Sequence, residues 1–136
     1  MKGCVVLDVG SGNGFFAKSI NDLVPQVIRI DKQPIDDETR GMSYELWTEP
    51  VDVVWASQFI EHVDAKDFCG WLTTVCKKRC VIITPNPSKS FWDDPEHIRP
   101  YTRTAIKTLL ESHGFKIVRQ IEPWPIQSHI TIAEKI

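Results

Sequence analysis

Asp8, Gly10, Gly12, Gly14 and Asp31 are the residues of this 136-residue chain whose types and spacing suggest chemistry most directly. Glycines at three alternate positions accept positive φ and let a ligand approach the backbone closely. The segment after them offers the free N–H groups of a helix start. Asp31 follows Gly10 by 21 residues. An acid at that separation can accept hydrogen bonds from both hydroxyls of a ribose. The chemistry is recognition of a nucleoside-like ligand. The same strand, glycine turn and helix can also serve structure alone, so the rest of the chain must decide.

Those residues need elements to hold them. Cys4 to Asp8 is an apolar run of strand type, and residues 14–24 carry Phe15, Phe16, Ile20, Leu23 and Val24 at helical spacing, ended by Pro25. Residues 27–30 predict a second strand ending at Asp31. A polar loop from Lys32 to Gly41 follows, whose acidic run at residues 36–38 suits a solvated loop better than a metal site. Met42 to Trp47 predicts a short third strand, and residues 51–56 a fourth, too apolar for an exposed edge. Asp64 caps a helix to about Lys78, residues 80–84 form a strand, and residues 85–101 form a long irregular segment suited to a lid. Thr102 caps a helix through His113, closed by Gly114. Residues 115–122 and 128–135 predict an antiparallel pair of strands joined by a Pro-Trp-Pro turn. Strands alternating with helices predict an α/β domain over residues 1–136, with a doubly wound, mostly parallel sheet and an antiparallel last strand in three α/β/α layers.

The composition, 42% hydrophobic and 25% charged, is that of an ordinary globular domain. A net charge of −2 provides no basic field for nucleic acid. The one basic cluster, Lys77-Lys78-Arg79, fits a helix C-terminus, where cations complement the dipole. No apolar run approaches the roughly 20 residues of a membrane span. Met1-Lys2-Gly3 leads straight into the first strand, with no signal peptide, so the expected location is cytoplasmic. Cys4, Cys69, Cys76 and Cys80 form no C-x-x-C pair and are expected to be reduced thiols. A zinc site would need Cys76 and Cys80 with two distant histidines, and no metal is expected.

Two cofactor classes fit the glycine turn. A dinucleotide site wants G-x-G-x-x-G, a pattern missed here by one place. S-adenosylmethionine has no pyrophosphate, and Asp8 with the turn backbone can supply the acceptors its amino-acid end needs. Residues 6–14 (VLDVGSGNG), Ile30-Asp31, residues 51–63 (VDVVWASQFIEHV) and residues 109–115 (LLESHGF) with the following strand pair resemble, in that order, the class I S-adenosylmethionine-dependent methyltransferases, in particular their small-molecule branch. The likeness covers nearly the whole chain. It implies a Rossmann-like fold and methyl transfer from S-adenosylmethionine, leaving S-adenosylhomocysteine, to a small-molecule acceptor. It further implies that Gly10, Ser11, Gly12 and Gly14 line the methionine end with Asp8 in support. Asp31 would hold the ribose, Glu45 or Leu46 on the third strand would meet the adenine, and Ser57 and Gln58 would lie beneath the sulfonium. His62 and the 85–101 loop would face the acceptor.

The chain departs from that family in three ways. Only about twenty residues separate Asp31 from the fourth strand, so the helix usual there is missing or a turn. No helix precedes the first strand, and the fourth strand lacks the Asn/Asp-Pro-Pro-aromatic ending of enzymes that methylate exocyclic amines of bases. The exposed site suits a large acceptor or a second subunit that completes its wall. Candidate general bases are His62, His97 and Glu96, used only if the acceptor must lose a proton. His62 fits equally the closure of a helix-start turn. Trp92, Arg99 and Tyr101 are the candidate substrate contacts of the 85–101 loop. Arg99 fits an anion clamp and an ion pair with Asp93 or Asp94 equally. Trp55 is expected in the core, and Trp124 in an exposed turn. Two other functions remain: a partner module of this fold without catalysis, and a nicotinamide-dependent oxidoreductase, which the glycine spacing disfavours.

Overall fold

A computed structural model of the chain describes residues 3–136. Met1 and Lys2, expected to lead into the first strand, lie outside the described residues. Seven strands form one sheet: β1 (Val5–Val9), β2 (Gln26–Asp31), β3 (Thr39–Gly41), β4 (Val51–Ser57), β5 (Cys76–Pro85), β6 (Phe115–Ile121) and β7 (Ser128–Lys135). Their spatial order is β3-β2-β1-β4-β5-β7-β6. Strands β1 to β5 pair in parallel, and β7 runs antiparallel to both β5 and β6. The order reverses between β1 and β4, which makes their carboxyl ends the switch point of a doubly wound sheet.

Side-chain alternation assigns the two faces. Leu7, Val9, Val54, Ala56, Cys80 and Ile82 point to one face, where helices α2 (Ala65–Val75) and α3 (Arg103–Glu111) cover them with Phe68, Leu72, Ile106 and Leu110. Full burial of each such side chain contributes about 1.5–3 kcal/mol. Val6, Val53 and Trp55 point to the other face and meet Phe16 and Ile20 of α1 (Phe15–Ile20). The Phe16 and Trp55 rings stack with centroids 3.6 Å apart. The result is the three-layer α/β/α arrangement expected.

The caps behave as their residue types demand. Asp64 accepts from the Asp67 N–H at 2.9 Å, and Thr102 Oγ1 from the Ala105 N–H at 3.0 Å. Gly114 adopts φ 83° after α3.

Four expectations are corrected. Helix α1 stops at Ile20, because Asn21 and Asp22 favour turns over helix interior. The third strand is Thr39–Gly41, not Met42–Trp47. Residues 44–46 instead form a 3-10 turn that puts Tyr44 and Trp47 together in the core. Tyr44 meets Phe59, Phe68 and Trp71 edge-on at 5.6, 5.5 and 5.1 Å, and Trp71 Nε1 donates to the Trp47 carbonyl at 2.8 Å. This turn is all that stands where the family's longer helix was expected to be reduced. Helix α2 ends at Val75 and passes directly into β5, so Lys77-Lys78-Arg79 opens a strand rather than closing a helix. There Lys78 and Lys77 lie 3.2 and 3.7 Å from Asp52 Oδ1, and Arg79 pairs with Glu134. The acidic run is not merely solvated either. Asp36 and Glu38 approach the buried Arg29 guanidinium at 3.1 and 3.4 Å.

Candidate active site

A cavity of about 420 Å³ opens at the carboxyl ends of β1, β2 and β4. Val9 and Gly10 form its floor, Asp31 and Met42 one side, and Gln58, Phe59, His62 and Glu96 the other. Its size falls within the roughly 300–1,000 Å³ of small-molecule sites.

The glycine turn is built by backbone geometry. Gly10 N–H and Ser11 N–H donate to the Ile30 carbonyl at 2.9 and 3.2 Å, tying the turn to β2. Gly10 has φ 65°, and a Cβ there would stand 2.5 Å from the Phe59 ring. Gly14 has φ 75°, and a Cβ there would run into the Arg29 guanidinium. Asp31 bridges the turn and its own loop: one carboxylate oxygen accepts from Gly12 N–H at 3.0 Å, the other from Gln33 N–H at 2.9 Å. Its remaining lone pairs are available in the cavity it lines.

Asp8 lies on the face opposite Val9, buried, and does not line the cavity. Burial pushes its pKa up to about 7; Arg29 opposes the rise, and Asp31 adds to it. Among the described residues no group donates to Asp8 Oδ2 or bonds Ser11 Oγ, although both atoms are buried. Unpaired buried acceptors beside a glycine turn fit the amino-acid end of S-adenosylmethionine, which carries an ammonium group and needs such partners. Arg29, absent from the sequence-based candidates, holds this corner from below. Its signal was a lone cation within an apolar strand, two residues after Val27 and so on the same face, followed by an acidic run.

Gln58 adopts φ 54°, an uncommon value for a non-glycine residue. Its N–H donates to the Ile83 carbonyl at 2.7 Å, and Nε2 to Ser128 Oγ at 3.0 Å. Ser57 ends β4 half-buried and does not line the cavity. Glu45 and Leu46 sit in the exposed 3-10 turn, not on a strand, and stay outside the cavity; Met42 and Tyr44 line it instead.

The 86–101 segment folds over the turn that follows β4. Ile98 N–H donates to the Glu61 carbonyl at 2.7 Å and fixes the two together. His62 and Glu96 line the cavity. His97 does not line it, but its ring meets that of His62 at 4.7 Å and stacks on Phe91 at 4.3 Å. His97 Nδ1 lies 2.6 Å from the Phe91 carbonyl, and Nε2 lies 3.4 Å from Asp94 Oδ2. Glu61 is fully buried: Oε2 accepts from Thr84 Oγ1 at 2.9 Å, while Oε1 has no hydrogen-bond partner among the described residues. Burial pushes its pKa up, against the Thr84 bond and the two nearby histidines.

The candidate substrate contacts Trp92, Arg99 and Tyr101 are not among the residues lining the cavity. Tyr101 is a core residue: it is buried in the main hydrophobic cluster, and its carbonyl meets His129 Nε2 at 2.7 Å. Arg99 pairs with neither Asp93 nor Asp94 among the described residues; its guanidinium lies over the Tyr101 ring, 5.2 Å from the centroid. Trp92 is exposed against the Phe91 edge. Cys76 and Cys80 are buried and free, with the Cys76 thiol pushed up to about 11 by burial and the Cys80 thiol raised further.

No curated protein matches the sequence. A family model described as "Methyltransferase domain" matches residues 2–120. Among solved structures, the magnesium protoporphyrin IX methyltransferase of Synechocystis with bound S-adenosylhomocysteine superposes with a TM-score of 0.79 at 14% identity, covering 99% of this chain and 75% of that one. A S-adenosylmethionine-dependent methyltransferase from Archaeoglobus fulgidus gives 0.74 at 22% identity, with 98% and 87% covered. A complex containing the Trm112 methyltransferase activator of Haloferax volcanii gives 0.79 at 12% identity, with 98% and 83% covered. At these identities the structural likeness speaks for the fold, and the family match speaks for the activity. With a glycine turn, a second-strand acid and a switch-point cavity in one place, the chain belongs to the methyltransferase domain family and is an S-adenosylmethionine-dependent methyltransferase.

Proposed function

We propose that the cavity binds S-adenosylmethionine along the ends of β1 and β2 and presents its methyl group to a small-molecule acceptor beside His62 and Glu96. The observation that carries this reading is the convergence of Gly10, Asp31, Gln58, His62 and Glu96 on one cavity. Gly10, Ser11, Gly12 and Gly14 take the methionine end, with Asp8 supporting the turn. Asp31 takes the ribose hydroxyls. Met42 and Tyr44 flank the base in place of Glu45 and Leu46, because they supply apolar surface within the cavity.

Bound S-adenosylmethionine supplies an electrophilic methyl group. The chain's own work is alignment and exclusion of water. His62, at the acceptor side, is the nearest imidazole to the cavity and takes a proton where the acceptor must lose one. Glu96 is the alternative base. A chain of net charge −2 favours a small acceptor over a nucleic acid.

Titration with S-adenosylhomocysteine tests the cofactor site. Asp31→Ala lowers its affinity at least about tenfold, roughly 1.4 kcal/mol, while thermal unfolding stays cooperative. Unchanged affinity removes Asp31 from the ribose site. Labelled methyl transfer to a panel of small hydroxylated and aminated compounds, with protein and RNA as comparison acceptors, tests the acceptor class. The solved complex of an activator with a methyltransferase lends only weak support to a second reading, a partner module without catalysis. A wild-type chain that binds no S-adenosylhomocysteine supports that reading.

A further inference from the structure

Glu61, His62 and His97 each offer a metal-ligating atom, and these three atoms lie within 4.8 Å of one another. The cluster joins two segments far apart in sequence: the 3-10 turn after β4 and the loop after β5. Its centre is a carboxylate with no solvent exposure. One oxygen of Glu61 is satisfied by Thr84 Oγ1, and the other, Oε1, has no hydrogen-bond partner among the described residues and stands 3.8 Å from His62 Nε2. A buried carboxylate oxygen without a donor is costly unless a cation meets it.

The histidines are arranged to help. His97 Nδ1 lies on the Phe91 carbonyl, which can only accept, so Nδ1 carries the proton. In the neutral ring Nε2 then holds a lone pair. Asp94 Oδ2, a further acceptor, faces that nitrogen at 3.4 Å. A proton on Nε2 or a cation beside it balances this pair, and the unpaired Glu61 oxygen next to it adds a further anionic ligand for a cation. A backbone carbonyl on the far ring nitrogen is also the usual support of a metal-bound histidine, because it fixes tautomer and ring orientation. The Phe91 ring stacked on His97 and the Ile98-to-Glu61 backbone bond hold the loop in register.

We infer that Glu61, His62 and His97 bind one divalent transition-metal ion of the zinc, cobalt or manganese kind. One carboxylate and two imidazoles form a donor set suited to such ions, whereas calcium and magnesium prefer all-oxygen shells. Three protein ligands leave coordination positions open, as in catalytic rather than structural metal sites. Because His62 also lines the cavity, an oxygen of the acceptor can complete the shell, and with His62 held as a ligand the acceptor's proton falls to Glu96. That last role rests on the methyltransferase reading of the cavity; ion binding does not.

The test uses the whole chain, stripped with chelator and titrated with Co²⁺ and separately with Zn²⁺. One equivalent binds, and Co²⁺ develops visible absorption bands of low-coordinate type. His97→Ala and His62→Ala each weaken binding by roughly tenfold or more. Glu61→Gln does the same, and the two histidine variants keep the test valid if that buried substitution unfolds the chain. Titrating the same samples with S-adenosylhomocysteine separates the two readings. Metal binding without S-adenosylhomocysteine binding keeps the ion site and removes the cofactor site. No ion bound by the wild type at millimolar concentration overturns the inference, and so does equal affinity in all three variants: the cluster is then held by protons.

Discussion

Asp8 shows how one residue reports its surroundings. The sequence marks it only as an acid before a glycine turn. In the fold it is buried between Arg29 of β2 and Trp55 of β4, with Oδ2 unpaired, and its pKa is pushed up to about 7 by burial. The folded chain therefore holds a proton on Asp8 over a range where the unfolded chain, near 3.8, has released it. Its favourable contribution is complete below pH 3.8 and is lost as pH rises through about 7. Asp8→Asn removes the titration and keeps the shape. The variant melts at roughly 5 °C or more above wild type at pH 8, and the difference shrinks toward pH 4. Melting curves across that range decide the point: parallel profiles for the two proteins mean that Asp8 does not titrate there.

Asp52 plays the corresponding part at the scale of elements. It joins the amino ends of three strands, accepting from the Val5 N–H of β1 at 2.8 Å and facing Lys78 and Lys77 of β5. The Val5 bond, helped by the two lysines and opposed by burial, holds its carboxyl below the usual range. The lysines are largely exposed, so the Val5 bond matters most. Asp52→Ala destabilises by about 1–3 kcal/mol near neutral pH. The stabilisation is present above 3.8 and is lost as pH falls below it, so in denaturant titrations the gap to wild type closes in acid. A gap independent of pH refutes the ionised pairing. Elements announced by local signals were legible in the sequence: the Asp64 and Thr102 caps, the Gly114 stop, the apolar parallel strands and the final hairpin. What escaped depended on tertiary contacts. Tyr44 and Trp47 suit a strand as well as a 3-10 turn, and only packing against Phe59, Phe68 and Trp71 selects the turn. Arg29 beneath Gly14 and the loop that brings His97 to His62 were invisible for the same reason.

The whole molecule is tied together at the cavity. Its wall draws on β1, β2, the 3-10 turn after β3, the turn after β4 and the loop after β5, residues spread from Val9 to Glu96. Each of these belongs to a different strand crossing, and the sheet order places them side by side only in the folded state. A ligand of this cavity thus has no counterpart site in the unfolded chain, and its binding energy adds in full to global stability. S-adenosylhomocysteine at one hundred times its dissociation constant stabilises the chain by about 2.7 kcal/mol, and the gain rises by about 1.4 kcal/mol for each further tenfold. S-adenosylmethionine behaves alike. NAD does not, because the turn lacks the third glycine, one place further on, that lets the helix of a dinucleotide site pack closely against its strand. Differential scanning calorimetry with each ligand reads this directly. Stabilisation by NAD and none by S-adenosylhomocysteine would replace the methyl donor with a hydride carrier. A shift by S-adenosylhomocysteine that Asp31→Ala abolishes locates the effect at the β2 end of the cavity.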